Sequence, residues 1–109
     1  MEGLELFCFK LISAAGTARS CYIEAINEAK NGNFEKAEEL IDEGKKNFID
    51  AHDVHNKLLQ QGTSGEDSGN NLLLMHSEDQ LMSAEMFQIL AKEFIGVYKR
   101  MLELEGKAN

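Results

Sequence analysis

Apolar residues recur every three or four positions along most of the chain, which is the spacing of one helical face. The first series consists of Leu4, Phe7, Cys8, Leu11, Ala14, Ala15, Ala18, Cys21, Tyr22, Ala25 and Ala29. The second consists of Phe34, Ala37, Leu40, Ile41, Gly44, Phe48, Ala51, His55, Leu58 and Leu59. This spacing predicts one helix over about residues 4–30 and another over about residues 34–61.

Two breaks separate the predicted helices. Asn31-Gly32-Asn33 offers a glycine that can end one helix and an asparagine that can cap the next, so it predicts a tight antiparallel turn. Residues 62–70 contain three glycines and no apolar residue. This composition is typical of an exposed linker.

The third series predicts the longest helix, over about residues 71–104, with a stripe formed by Leu72, Met75, Asp79, Met82, Met86, Leu90, Phe94, Val97, Tyr98 and Met101. Further apolar residues lie off this stripe: Leu73, Leu74, Leu81, Phe87, Ile89 and Ile95. We interpret this excess as surface buried against other subunits. Asp79 holds a position in the stripe where the period calls for an apolar residue, so the pattern predicts a carboxylate inside.

Composition supports a single all-α domain over residues 1–109, arranged as an elongated antiparallel three-helix bundle with up-down-up topology. The 109 residues include no proline, which long uninterrupted helices exclude. The formal charge of −8 opposes binding to nucleic acid or to anionic membranes. Two cysteines cannot form a dense disulfide framework, and the apolar run near the N-terminus is interrupted by charges and too short to span a membrane. We expect a cytoplasmic protein with no membrane insertion.

The polar residues of the third helix form the candidate site. His76, Asp79 and Gln80 lie at positions i, i+3 and i+4, so they share one helical face. His76 could be a nucleophile or an acid-base group, or a histidine that only packs at the edge of the core. In a symmetric oligomer, the repeated Asp79 carboxylates would repel one another unless a divalent cation or protonation relieved the repulsion.

Several motifs resemble one bacterial family over about residues 4–103. They are Leu11-Ile12-Ser13-Ala14-Ala15-Gly16 with Ala18-Arg19-Ser20, the pairs Ala25-Ile26 and Ala29-Lys30, Gly32-Asn33-Phe34-Glu35-Lys36-Ala37, the Ala51-His52 region and, most specifically, residues 72–84. The chain resembles the IIA component of the lactose/cellobiose/chitobiose class of the phosphoenolpyruvate-dependent sugar phosphotransferase system (PTS).

The resemblance implies a transferase component and a role for each candidate residue. His76 would accept a phosphoryl group from the histidine phosphocarrier protein HPr and pass it to a cysteine of the cognate IIB component. Together with the membrane component IIC, this relay would drive uptake and phosphorylation of a β-linked disaccharide or similar sugar. Asp79 would be one of three metal ligands on the axis of a homotrimer, with Mg²⁺ as the expected divalent cation. Gln80, where many members have a second histidine, would support the phosphoryl site.

Other interpretations remain open on the residues alone. His52 and His55 have a spacing that could hold a transition metal, although histidines that pack between helices are the simpler expectation. The whole bundle could also be a non-enzymatic helical adaptor or regulatory module in which His76 only packs. A di-iron protein fits least, because it requires four helices and paired Glu-x-x-His motifs.

Overall fold

The computed structural model describes residues 3–61 and 71–108, and its regular elements there are three α-helices. Helix α1 spans Gly3–Lys30, α2 spans Phe34–Gln61 and α3 spans Asn71–Ala108. The all-helical prediction is confirmed, and α3 continues a full turn beyond the predicted end near residue 104. The predicted linker over residues 62–70 lies outside the described residues.

Contacts between distant residues show how the helices run. Glu38 and His55 of α2 meet Lys99 and Glu78 of α3 respectively, so these two helices are antiparallel. Arg19 reaches Gln80 and Ser83 of α3, and the turn after α1 lies beside Leu102 near the end of α3, so α1 and α3 run in the same direction. The result is an up-down-up rod with dimensions of 65 × 18 × 18 Å.

The turn between α1 and α2 confirms the predicted glycine, whereas the Asn33 side chain, predicted to cap α2, donates from Nδ2 to Glu28 Oε1 at 3.1 Å. Gly32 adopts a left-handed conformation with φ of +85°, where a side chain would be strained. Its amide donates to the Ala29 carbonyl at 3.0 Å, and the Asn33 amide donates to the Glu28 carbonyl at 2.8 Å, which together form a Schellman motif. The Asn33 carbonyl then accepts the first hydrogen bond of α2, from Ala37 at 3.0 Å. One glycine therefore ends α1 and lets α2 begin at Phe34, after only three intervening residues.

Helix α1 is the central element, because it packs against α2 and α3 more extensively than these two helices pack against each other. Its buried face is rich in small residues and matches the predicted series: Cys8, Leu11, Ala15, Ala18, Cys21, Tyr22, Ala25 and Ala29. Alanines allow the helix axes to approach closely, and α2 contributes Ala37 and Ala51 in the same way. Both cysteines are free and buried, as expected from the sequence.

Tyr22 is the largest fully buried side chain and lies against Gly44 of α2. Burial raises the pKa of the Tyr22 phenol to about 12, with a smaller contribution from the neighbouring Cys21 thiol. Burial also raises the pKa of Cys21, and Glu43 and Glu24 add to this effect. Both groups therefore stay protonated at neutral pH, as a packed core requires.

The prediction that the main stripe of α3 faces the core of the bundle is wrong. Apart from Tyr98, which is half-buried against the core, its large members are exposed, whereas the buried residues of α3 are Ser77, Leu81, Ala84, Ala91 and Ile95. The buried face combines three small residues, Ser77, Ala84 and Ala91, with Leu81 and Ile95, two residues that we predicted to be buried against other subunits and that pack in the core of the bundle instead. We call the exposed series the outer face of α3; it consists of Leu72, Met75, Met82, Met86, Leu90, Phe94, Val97 and Met101.

Candidate functional site

His76 lies in the second turn of α3 with its side chain exposed. The residue after it, Ser77, is fully buried and donates a hydrogen bond from Oγ to the Leu74 carbonyl at 2.7 Å. One turn further, Leu81 is also buried in the core. Because successive helical residues are rotated by about 100°, anchoring Ser77 and Leu81 inside turns His76 toward the surface. The imidazole is thus an accessible group on a rigid element.

One side of His76 is a polar strip shared by α3 and α1. His76, Gln80 and Ser83 lie at positions i, i+4 and i+7, so they follow one line along the helix. Arg19 of α1 donates from Nη1 to Gln80 Oε1 at 2.6 Å and to Ser83 Oγ at 3.4 Å. Arg19, Gln80 and Ser83 are all half-buried, so this strip is the edge of the groove between the two helices.

The opposite side of the turn is tied to α2. His55 Nε2 lies 2.6 Å from Glu78 Oε1, a distance at which a protonated Nε2 donates to the carboxylate. Both residues are partly buried. His52 is exposed, and its ring centroid lies 6.4 Å from that of His55. His55 therefore packs between helices, as expected, whereas the exposed His52 does not.

Asp79 is exposed in the single chain, so the prediction that its carboxylate lies inside does not hold for the bundle itself. Its helical neighbours are Met75, Met82 and Met86, whose side chains are 67, 65 and 55% exposed. The carboxylate thus belongs to the outer face of α3 and interrupts an apolar surface that α1 and α2 leave uncovered.

The surface around His76 is open. Three clefts among the described residues lie at the turn near Gly32 and Glu39, beside Glu24 and Leu40, and near Gly96 and Leu104, and His76 lines none of these three. Among those same residues, no group of three or more histidine, cysteine or acidic side chains is placed to hold a metal ion. Such a surface is better suited to docking of another protein than to enclosing a small molecule.

The comparison with known families decides the assignment. Residues 6–99 match the sequence profile of the PTS system, Lactose/Cellobiose specific IIA subunit. The chain belongs to this family. It is therefore a sugar-specific IIA component of the lactose/cellobiose type, a phosphotransfer protein within a transferase system.

Individual relatives of this IIA subunit span nearly its whole length. It is 36% identical to the PTS system lactose-specific EIIA component of Staphylococcus epidermidis, over 91% of this chain and 95% of the relative. It is 38% identical to the PTS system oligo-beta-mannoside-specific EIIA component of Bacillus subtilis, over 87% of this chain and 86% of the relative. The PTS cellobiose specific enzyme IIA from Bacillus anthracis superposes with a TM-score of 0.86, at 36% identity and 94% coverage of both chains. These relatives are named for different sugars, so membership of the family leaves the sugar open.

The spacing along α3 links His76 with Gln80, but the sequence gives no local sign of the contact between Gln80 and Arg19. Arg19 stands 61 residues before Gln80, and no local spacing connects the two. The available signal was weak: an arginine between Ala18 and Ser20 in a helix whose neighbouring turns are mostly apolar. The contact between His55 and Glu78 was equally invisible, since it also joins two helices.

Proposed function

We propose that this IIA subunit is a phosphoryl carrier that accepts a phosphoryl group from HPr on His76 and passes it to a cysteine of the cognate IIB component. With the membrane component IIC, the relay drives uptake and phosphorylation of a β-linked disaccharide or similar sugar. The observation that carries the proposal is the exposed imidazole of His76 on a rigid helix in a chain of this family.

Phosphoryl transfer to and from His76 requires few contributions from the surrounding residues. A lone pair of the neutral His76 imidazole attacks the phosphorus of the donor's phosphohistidine, and the donor's P–N bond breaks as the new P–N bond forms. In the second step, the IIB thiolate attacks the same phosphorus, and His76 leaves as neutral imidazole. Such transfers depend mainly on in-line positioning and on stabilising the charge of the phosphoryl oxygens. Gln80, one turn after His76, is placed to donate a hydrogen bond to those oxygens.

We also propose that the outer face of α3 forms the contact between subunits of a homotrimer. Many large apolar side chains on this face are more than 40% exposed in the single chain, which is an unfavourable surface for a lone bundle. Around a threefold axis, the Asp79 carboxylates of three chains would face one another. Oxygen ligands of this kind fit a hard divalent cation such as Mg²⁺, which would supply neutralising charge at the axis. No transfer step uses this ion.

The partners follow from the same arrangement. HPr and IIB must each reach His76 in turn, and the open surface around it leaves room for a protein to dock. None of the three described helices is long and apolar enough to cross a membrane. A cytoplasmic location stays a prediction.

Intact-mass spectrometry tests the acceptor residue. The purified protein is incubated with phosphoenolpyruvate, the general phosphotransferase enzyme and HPr, alongside His76→Ala and His52→Ala. We expect the wild type and His52→Ala to gain one acid-labile phosphoryl group and His76→Ala to gain none. His52 is the matched control because it is an exposed histidine on another helix.

Labelling of His76→Ala would show that another residue is the acceptor. Absence of labelling in the folded wild type, while a known acceptor in the same mixture is labelled, would favour the non-enzymatic adaptor instead.

A further inference from the structure

We propose that Arg19 is a positioning residue for phosphoryl transfer: it fixes the amide of Gln80 so that Nε2 faces the phosphoryl group carried by His76. This role rests on the function proposed above for His76. A residue of α1 would thus contribute to a reaction that takes place on α3.

The contact between Arg19 and Gln80 determines which way the amide points. A guanidinium only donates hydrogen bonds, so the Gln80 atom that meets Arg19 Nη1 at 2.6 Å must be the carbonyl oxygen. The amide nitrogen is then held on the other branch of the same planar group. No side chain in the described part of the chain accepts a hydrogen bond from it. Gln80 therefore presents two unused donors whose direction Arg19 has set.

Helix geometry places those donors beside His76. The side chains of residues i and i+4 lie about 5–6 Å apart at Cβ, and long helical side chains lean back toward the preceding turn. For Gln80, the preceding turn is the one that carries His76. A phosphoryl group on the imidazole therefore enters the reach of Gln80 Nε2.

The positive charge of Arg19 also favours a phosphoryl group on His76. The groups flanking His76 along α3 include two carboxylates, Glu78 and Asp79, which oppose a dianionic phosphoryl group. Gln80 is neutral, so it supplies direction but no charge. Arg19 supplies the positive charge, and its second hydrogen bond, to Ser83 Oγ at 3.4 Å, keeps the guanidinium along the same strip.

The test compares Arg19→Met, Arg19→Lys and Gln80→Leu with the wild type. The chain's other arginine, Arg100, supplies the matched control, Arg100→Met, because it is exposed and lies 20 residues after Gln80 on the same helix. Rapid quench of the reaction with phosphorylated HPr gives the rate of phosphorylation of His76. Circular dichroism and sedimentation establish that each variant keeps the fold and assembly of the wild type.

We expect Arg19→Met and Gln80→Leu each to slow phosphorylation by about 10- to 100-fold, the effect of losing one hydrogen bond to a charged group. The double variant should be no slower than the slower single variant, because both changes remove the same arrangement. Arg19→Lys should restore part of the rate, and Arg100→Met should match the wild type.

Nuclear magnetic resonance separates positioning from a structural role. Phosphorylation should shift the side-chain amide resonances of Gln80 in the wild type but leave them nearly unmoved in Arg19→Met. If Arg19→Met does not fold, a normal rate in Gln80→Leu overturns the proposal and a slowed rate supports it.

Equal rates in Arg19→Met and wild type, or equal Gln80 shifts, would overturn the role of Arg19 while leaving the carrier function intact. Failure of the wild type itself to be phosphorylated would instead refute the carrier function.

Discussion

The contact between Tyr22 and Gly44 sets the distance between α1 and α2, and Gly44→Ala is the substitution that tests it. A Cβ at position 44 would lie 2.5, 2.9 and 3.0 Å from Cε1, Cδ1 and Cζ of the Tyr22 ring. Carbon atoms in good contact are about 3.5–4.0 Å apart. The ring is fully buried, so it cannot swing into solvent to make room. One helix must therefore shift by several tenths of an ångström or more.

Two opposing effects give the expected size of the change. Overpacking of a core costs about 1–3 kcal/mol, and replacing a helical glycine by alanine returns about 1 kcal/mol of backbone entropy. Since the overlap here is severe, we expect Gly44→Ala to lower the free energy of unfolding by about 1–2 kcal/mol. The matched control is Gly96→Ala in α3, where a Cβ meets no atom within 4 Å. That control should be more stable than the wild type by about 0.5–1 kcal/mol.

Urea unfolding followed by circular dichroism, at one fixed protein concentration, measures both variants. In a Tyr22→Leu background the ring is gone, so Gly44→Ala should cost little or become favourable. If Gly44→Ala is as stable as the wild type while Gly96→Ala is stabilised as expected, the ring does not set the helix spacing. Arg19 lies on α1 one turn before Tyr22, so a shift of α1 would also move Arg19 away from Gln80. Phosphorylation of His76 should therefore slow in Gly44→Ala as well.

Three further predictions concern the core, the assembly and the axial charge. Because the pKa of Tyr22 is about 12 in the fold and about 10 in an unfolded chain, stability should fall as pH rises from 10 to 12, by about 2–3 kcal/mol, and Tyr22→Phe should lose this part of the alkaline dependence in urea titrations. Met86→Glu should convert the proposed trimer to monomers in sedimentation experiments, whereas Ile49→Glu, at a similarly exposed apolar residue of α2, should leave it assembled; a trimeric Met86→Glu would remove the outer face of α3 from the proposed interface. If Asp79 holds a divalent cation as proposed, chelation should lower the thermal stability of the wild type but not that of Asp79→Asn, and an equal effect on both would contradict a cation at Asp79.

Local patterns predicted the parts of the fold that depend on local physics. Gly32 ends α1 because few residues tolerate a left-handed conformation, and that requirement is visible in the sequence itself. The buried face of α1 was also predicted, because its cysteines and alanines repeat without interruption up to Ala29.

Local patterns did not predict which of the two apolar faces of α3 is buried in the bundle. Both carry apolar residues, and the choice between them depends on how closely α1 can approach. Ser77 and Ala84 permit that approach, whereas Met75 and Met82 are too large for it, so the larger stripe is left outside. The buried face of α3 therefore joins small residues at the helix contact with Leu81 and Ile95 in the core.

In the candidate site too, contacts within one helix were predictable and contacts between helices were not. His76 and Gln80 were found together because one helical turn joins them, a relation that spacing alone reveals. Arg19 and His55 reach the site from other helices, and their partners are 61 and 23 residues away in the sequence. Such contacts exist only once the bundle has formed, so they required the structure.

A phosphoryl chase tests most directly whether this IIA subunit passes a phosphoryl group on. The protein is phosphorylated with labelled phosphoenolpyruvate, separated from HPr, and mixed with the cognate IIB component while both proteins are followed by intact mass. We expect the label to leave His76 and to appear in equal amount on the IIB cysteine, and not on a IIB variant that lacks this cysteine. If the label stays on the IIA subunit, or is released as inorganic phosphate without reaching IIB, the chain is not a phosphoryl carrier.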